Sequence, residues 1–137
     1  MRELSVGLGG ILGALVRYFF YSNFNSASLF PLGTLTVNLT GSFFLAFFLT
    51  VALRHLQHRS VLVLAVSTGF TGSFTTFSSL SVEAVNLLHL NPVAFAFYII
   101  ASFFPGLLLA FAGRRLGDSF SLWLDSKLSQ SEVKNVE

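Results

Sequence analysis

Apolar residues along this chain gather into four long runs, each closed by charges or by turn-forming residues. About 20 apolar residues in a helix cross a hydrocarbon layer of about 30 Å. The first run, Leu4 to Phe24, holds Gly9, Gly10 and Gly13 and carries Arg17 near its far end. Gly9 and Gly13 form a G-x-x-x-G, the spacing that lets a second helix come close. Asn23 to Pro31 reads as a turn-rich connection. Gly33 to Leu53 is uncharged and predicts a second span, ended by Arg54, His55, His58 and Arg59. Ser60 to about Leu88 is the third. Asn91-Pro92 reads as a helix cap followed by proline at the first helical position. The fourth span then runs to about Gly113, kinked at Pro105, and stops at Arg114-Arg115. Residues 1–116 thus form one transmembrane domain. Residues 117–137 form a polar, frayed tail in which Trp123, Leu124 and Leu128 can rest at the membrane interface.

The third run is unlike the others. Its middle reads Gly69-Phe-Thr-Gly-Ser-Phe-Thr-Thr-Phe77. Two glycines with several hydroxyl and β-branched residues make a poor helix interior, so the sequence predicts a real interruption between Gly69 and Phe77. Lipid cannot satisfy freed backbone groups, so such a break survives only inside protein, beside water or around an ion. Unpaired carbonyl oxygens suit a small hard cation such as Na⁺.

Composition agrees with a lipid setting. Hydrophobic residues make up 53% of the 137-residue chain and charged residues 10%, against about 25% in a soluble domain. There are no cysteines, which excludes disulfides, thiolate metal sites and a cysteine nucleophile. A net charge of +2 gives nucleic-acid binding no electrostatic basis. Glu3 precedes the first run and no small-residue cleavage site follows, so that run is expected to stay as a helix. His55 and His58 sit between arginines with no third ligand and read as loop residues, and no hydrolase, nucleotide-binding or zinc-protease motif occurs. Four spans put both termini on one side. Arg2, Arg54, Arg59, Arg114, Arg115, Lys127 and Lys134 fall on that side and Arg17 alone on the other. Lys and Arg favour the cytoplasmic side, so both termini are expected in the cytoplasm of a cell-membrane protein.

Polar residues inside apolar runs are the functional candidates. Asn38, one turn after Thr34, offers two amide donors and an acceptor; it serves either a helix–helix hydrogen bond or a ligand. Arg17 either snorkels to the interface or draws anions into a vestibule. Glu83, the one acid inside a span, is expected to accept from a backbone or hydroxyl donor. Tyr98, Ser102 and Gly106 share one helix face, and hydroxyls there could donate to an anion or bond back to their own helix. Inward phenylalanines, among the 17 in the chain, could touch an anion with their positive ring edge.

These segments resemble a known family. Gly33-Thr-Leu-Thr-Val-Asn38-Leu-Thr-Gly41-Ser42, Gly69-Phe-Thr-Gly72-Ser-Phe-Thr75-Thr76-Phe77-Ser78 and Gly13-Ala-Leu-Val-Arg17-Tyr18 are similar, in order, to three motifs of the Fluc (CrcB) fluoride channels. The resemblance implies an all-α membrane fold of four helices with the third broken, paired as an antiparallel dimer with two fluoride pores. It implies a structural, non-transported Na⁺ at the dimer centre on the backbone carbonyls of Gly72 and Thr75. It also implies an ion pathway past Asn38, the ring edge of Phe77, and the hydroxyls of Tyr98 and Ser102, with Thr34, Thr76 and Ser79 alongside and Arg17 at the entrance.

One position departs from the family pattern. Where a second pore phenylalanine is usual, this chain has Leu80, which has no polarised edge to offer. The lopsided distribution of Lys and Arg also suits a chain that inserts one way and pairs with a related, oppositely inserted partner. Two alternatives follow: a non-conducting partner subunit, and a small multidrug-type transporter. The second needs a carboxylate deep in the first helix, where only Glu3 stands at the edge.

Overall fold

In a computed structural model, residues 2–24 and 30–134 are described, and among them every regular element is helical. Helix α1 is Arg2–Phe24 and α2 is Leu32–His55. The third segment divides into α3 (Ser60–Leu64), a π-helical stretch (Ala65–Thr71), α4 (Gly72–Phe74) and α5 (Phe77–Leu90), and α6 is Pro92–Lys134. Four segments are long and apolar enough to cross a membrane: Arg2–Phe24, Leu32–His55, Ser60–Leu90 and Pro92–Gln130. The expected connection from Asn23 to Pro31 falls mostly outside the described residues.

Glycines set the helix packing, because lipid supplies no hydrophobic force between helices and close approach must supply dispersion contact instead. A Cβ on Gly9 would strike the Ala65 carbonyl and one on Gly13 the Phe70 carbonyl, while Gly69 in turn sits against Val6. The G-x-x-x-G of α1 therefore docks on the third segment of its own chain. Helices α2 and α6 run parallel, with Gly113 against the Phe43 carbonyl and Gly117 against Phe47 and Thr50. Arg54 Nη2 meets Asp125 Oδ2 at 2.7 Å further along. Apolar side chains such as Leu8, Leu15, Phe97, Phe104 and Leu108 are exposed, as lipid-facing residues are.

The backbone leaves the helical region between α4 and α5. Thr75 has φ −80° and ψ 157°, and Thr76 has φ −148° and ψ 121°. The chain therefore runs extended for two residues between two helices. Thr76 caps α5, its hydroxyl accepting from Ser79 N at 3.1 Å. At the next junction Asn91 Oδ1 accepts from Val93 N and Ala94 N, both at 3.1 Å, and Pro92 follows as the first helical residue.

Two expectations need correction. Helix α6 does not stop at Arg114-Arg115 but continues to Lys134, with Pro105 inside it. Its continuation has a packed face, on which Gly117 and Ser121 are buried, so it is helix rather than frayed tail; residues 135–137 lie outside the described residues. His55 is the last residue of α2, not a loop residue, and its Nδ1 stands 3.8 Å from Asp125 Oδ1.

Candidate functional site

The site is built around Asn38, whose amide spans the backbone of Thr76 from both sides. Asn38 Nδ2 donates to the Thr76 carbonyl at 2.9 Å, and Thr76 N donates to Asn38 Oδ1 at 2.8 Å. A side-chain amide can do this because it carries a donor and an acceptor in one plane, as a peptide group does. Two backbone groups that lipid could not satisfy are thereby paired. Gly41, one turn along α2, lets Thr75 and Phe74 close in, since a Cβ there would collide with the Thr75 methyl.

That clamp has a consequence for the carbonyls before it. In an unbroken helix the Gly72 carbonyl accepts from Thr76 N and the Thr75 carbonyl from Ser79 N. Here Thr76 N is directed to Asn38 and Ser79 N to the Thr76 hydroxyl. Gly72 is exposed, and a Cβ added to it would meet nothing within 4 Å. Its φ of −63° is ordinary, so no backbone requirement of the single chain calls for glycine at that position.

A groove of about 550 Å³ opens over this break. Asn38, Gly72, Thr75, Thr76, Phe77 and Ser102 line it, together with Leu80 and Gly106. Phe77 is 74% exposed, whereas Leu80 is buried at 8% in a core with Ala84, Leu87 and Tyr98. Leu80 thus gives most of its side chain to packing. Ser102 donates to the Tyr98 carbonyl at 2.7 Å, the back-bonded state of a helical serine. To donate to a ligand its hydroxyl must rotate.

Tyr98 does not line this groove. Its side chain is fully buried and its hydroxyl donates to Glu83 Oε2 at 2.8 Å, while Thr34 Oγ1 donates to Glu83 Oε1 at 2.8 Å. Glu83 therefore accepts from hydroxyls on two neighbouring helices and ties α2, α5 and α6 together. Phe30 packs edge-on against Tyr98, with ring centroids 5.4 Å apart.

Arg17, Thr34, Thr76 and Ser79 come together in a second cleft of about 240 Å³, also lined by Gly33 and Val37. Arg17 therefore sits at the level of the extended residues rather than at the end of its span. Thr76 lines both the groove and the cleft. The expected site residues thus fall into three places: Asn38, Phe77, Thr76 and Ser102 in the groove, Arg17, Thr34 and Ser79 in the cleft, and Tyr98 with Glu83 buried between helices. Sequence reasoning missed the double clamp, although Asn38 and the Gly69–Phe77 stretch were both visible. Their pairing depends on how α2 lies across the third segment.

Residues 4–114 match the family described as CrcB-like protein, Camphor Resistance (CrcB). A Geobacillus kaustophilus protein named fluoride-specific ion channel FluC 2 is 48% identical over 116 residues, covering 82% of this chain and 90% of its own. Fluoride-specific ion channel FluC 1 of Bacillus cereus is 44% identical, covering 82% of this chain and 81% of its own. Fluoride-specific ion channel FluC 1 of Staphylococcus aureus is 35% identical over 122 residues, 88% of this chain and its whole length.

Proposed function

Since the chain belongs to the CrcB-like family, in which the relatives above are fluoride-specific ion channels, we propose that it conducts fluoride passively across the cell membrane. It is a multi-pass membrane channel subunit and not an enzyme. The observation that carries the pathway is the clamp of Asn38 on Thr76 in a groove shared with Phe77 and Ser102. Fluoride is small and strongly hydrated, so a pore must replace its water with several weak donors. The amide of Asn38 spends one hydrogen on Thr76 and keeps a second. The edge of Phe77 and a rotated Ser102 hydroxyl supply further donation. A negative-inside potential drives an anion outward, so the expected benefit is relief from cytoplasmic fluoride.

Assembly as an antiparallel dimer is part of this reading. Three features support it: an exposed Phe77, a Gly72 whose lost Cβ serves nothing within the chain, and carbonyls on Gly72 and Thr75 whose usual amide partners are engaged elsewhere. These are oxygen donors fit for a hard cation. Two from one chain are few for Na⁺, and a second subunit would double them. Bound there, Na⁺ would neutralise carbonyl dipoles where two broken helices meet and would not be transported. Arg17, in the cleft beside Thr34 and Ser79, would bias that cleft toward anions.

The seven basic residues on the terminal side against Arg17 on the other support cytoplasmic termini and a single orientation. A chain that inserts one way needs an oppositely inserted relative to form the dimer. The test is fluoride efflux from liposomes holding the purified chain alone. The expected result is little efflux alone and robust efflux when an oppositely inserted homologue is co-expressed. Robust efflux from the single chain would overturn the paired-subunit reading. Efflux absent under both conditions would count against conduction itself. The burial of Leu80, at the position where the resembled family motif has a second phenylalanine, favours one further reading: this chain supplies one functional pore at most.

A further inference from the structure

Serine and threonine hydroxyls in a regular helix bond back to the carbonyl three or four residues earlier. Ser42, Thr50, Ser67 and Ser102 do so here, each reaching four residues at 2.6–2.8 Å. Thr71 does not. Its hydroxyl donates to the Val66 carbonyl, five residues earlier, at 3.0 Å. Five is the spacing of a π-helical turn, and Thr71 closes the π-helical stretch Ala65–Thr71. The residue is 2% exposed, so its hydroxyl needs an acceptor inside the protein.

The carbonyl of Thr71 is engaged as well. It accepts from Thr75 N at 3.0 Å and from Thr75 Oγ1 at 2.9 Å. Thr75 is the first of the two extended residues, and Thr76, the second, is the one that Asn38 clamps. Only the single turn Gly72–Phe74 lies between. Thr71 thus joins the wide turn to the break, by its hydroxyl on one side and its carbonyl on the other.

A π turn takes in one residue more than an α turn. If Ala65–Thr71 closed as regular α-helix, the residues after it would rotate by about 100° and shift by about 1.5 Å. Thr76 could not then offer both its N–H and its carbonyl to one side-chain amide on α2. Helix α1 leaves room for the wide turn, because Gly9 and Gly13 admit the carbonyls of Ala65 and Phe70 at close range. Resting on the reading that Asn38 and Thr76 line the ion pathway, we infer that Thr71 is a positioning residue for conduction: its hydroxyl holds the π turn, and the π turn holds Thr76 in register with Asn38.

The test compares Thr71→Val, which keeps the branched shape and loses the hydroxyl, with Thr71→Ser, which keeps the hydroxyl. Amide hydrogen exchange of the full chain in detergent reads the register at Thr76 N–H. Thr71→Val should speed exchange there about tenfold, the worth of one hydrogen bond, and leave the α6 amides unchanged. Thr71→Ser should stay near the parent rate. Fluoride efflux from liposomes holding the chain with an oppositely inserted homologue should fall by a similar factor in Thr71→Val and return in Thr71→Ser. Thr76 exchange indifferent to Thr71→Val overturns the inference, as does a general loosening in which α6 amides speed up equally, or a serine variant as fast as the valine. Thr71→Ala carries the same comparison if the valine variant does not fold. Fast exchange at Thr76 with unchanged efflux upholds the link from Thr71 to Thr76 and removes the clamp from the ion pathway instead.

Discussion

At the residue scale, Asn38 fulfils one of the two duties that the sequence presents as alternatives and is placed for the other. It makes a contact between helical segments, but to backbone rather than to a side chain, and it faces the groove. Asn38→Ala removes both bonds to Thr76 and leaves two backbone groups unpaired, each costing about 1–3 kcal/mol. A clear drop in melting temperature in detergent is expected. Asn38→Asp keeps an acceptor for Thr76 N but loses the donor and puts a negative charge on the proposed anion path. Fluoride efflux through that variant, co-expressed with the oppositely inserted homologue, should fall at least about tenfold, which corresponds to about 1.4 kcal/mol on the barrier; unchanged efflux would remove Asn38 from the pathway. The role of Glu83 as a hydroxyl acceptor was legible, because a lone acid in a span needs donors. That its donors are Thr34 and Tyr98 was not, since they lie 49 and 15 positions away.

At the element scale, close backbone approach governs which glycines matter. Gly13→Ala would drive a methyl into the Phe70 carbonyl and push α1 off the third segment, whereas a Cβ at Gly7 meets nothing. Gly13→Ala should therefore lose stability. Gly7→Ala should be neutral or gain up to about 1 kcal/mol from helix propensity. Parallel thermal unfolding of the two variants checks this, and equal losses would refute the packing account. The G-x-x-x-G spacing was readable in the sequence, but its docking surface was not. The π-helical stretch Ala65–Thr71 that receives it is a wide turn with no local signature strong enough to predict. The end of α6 escaped prediction for a related reason. Arg114-Arg115 looks like a membrane boundary in one dimension, yet the Gly113, Gly117 and Ser121 face continues down α2.

At the scale of the whole molecule, the single chain leaves one face of its third segment open. Phe77 lies open and Gly72 has room for a side chain that it lacks. Gly72→Ala should leave the fold of the isolated chain unaltered, because nothing in it would be displaced. In the proposed dimer the added methyl would crowd the cation and the facing subunit. Cross-linking or light scattering should show loss of the dimer at unchanged helicity. A dimer that survives Gly72→Ala with its Na⁺ dependence intact would refute an assembly centred on this carbonyl site.

Four spans, the identity of the family and the location of a disturbed third segment were determined by the sequence alone. Each depends on local composition: run length against bilayer thickness, or glycine and hydroxyl residues where a helix needs neither. Tertiary structure decided which groups meet. The clamp of Asn38 on Thr76, the shared acceptor Glu83, the depth of Arg17 and the reach of α6 past its arginines all follow from helix register. Register is fixed by summed contacts between distant segments, and no single stretch of sequence encodes it.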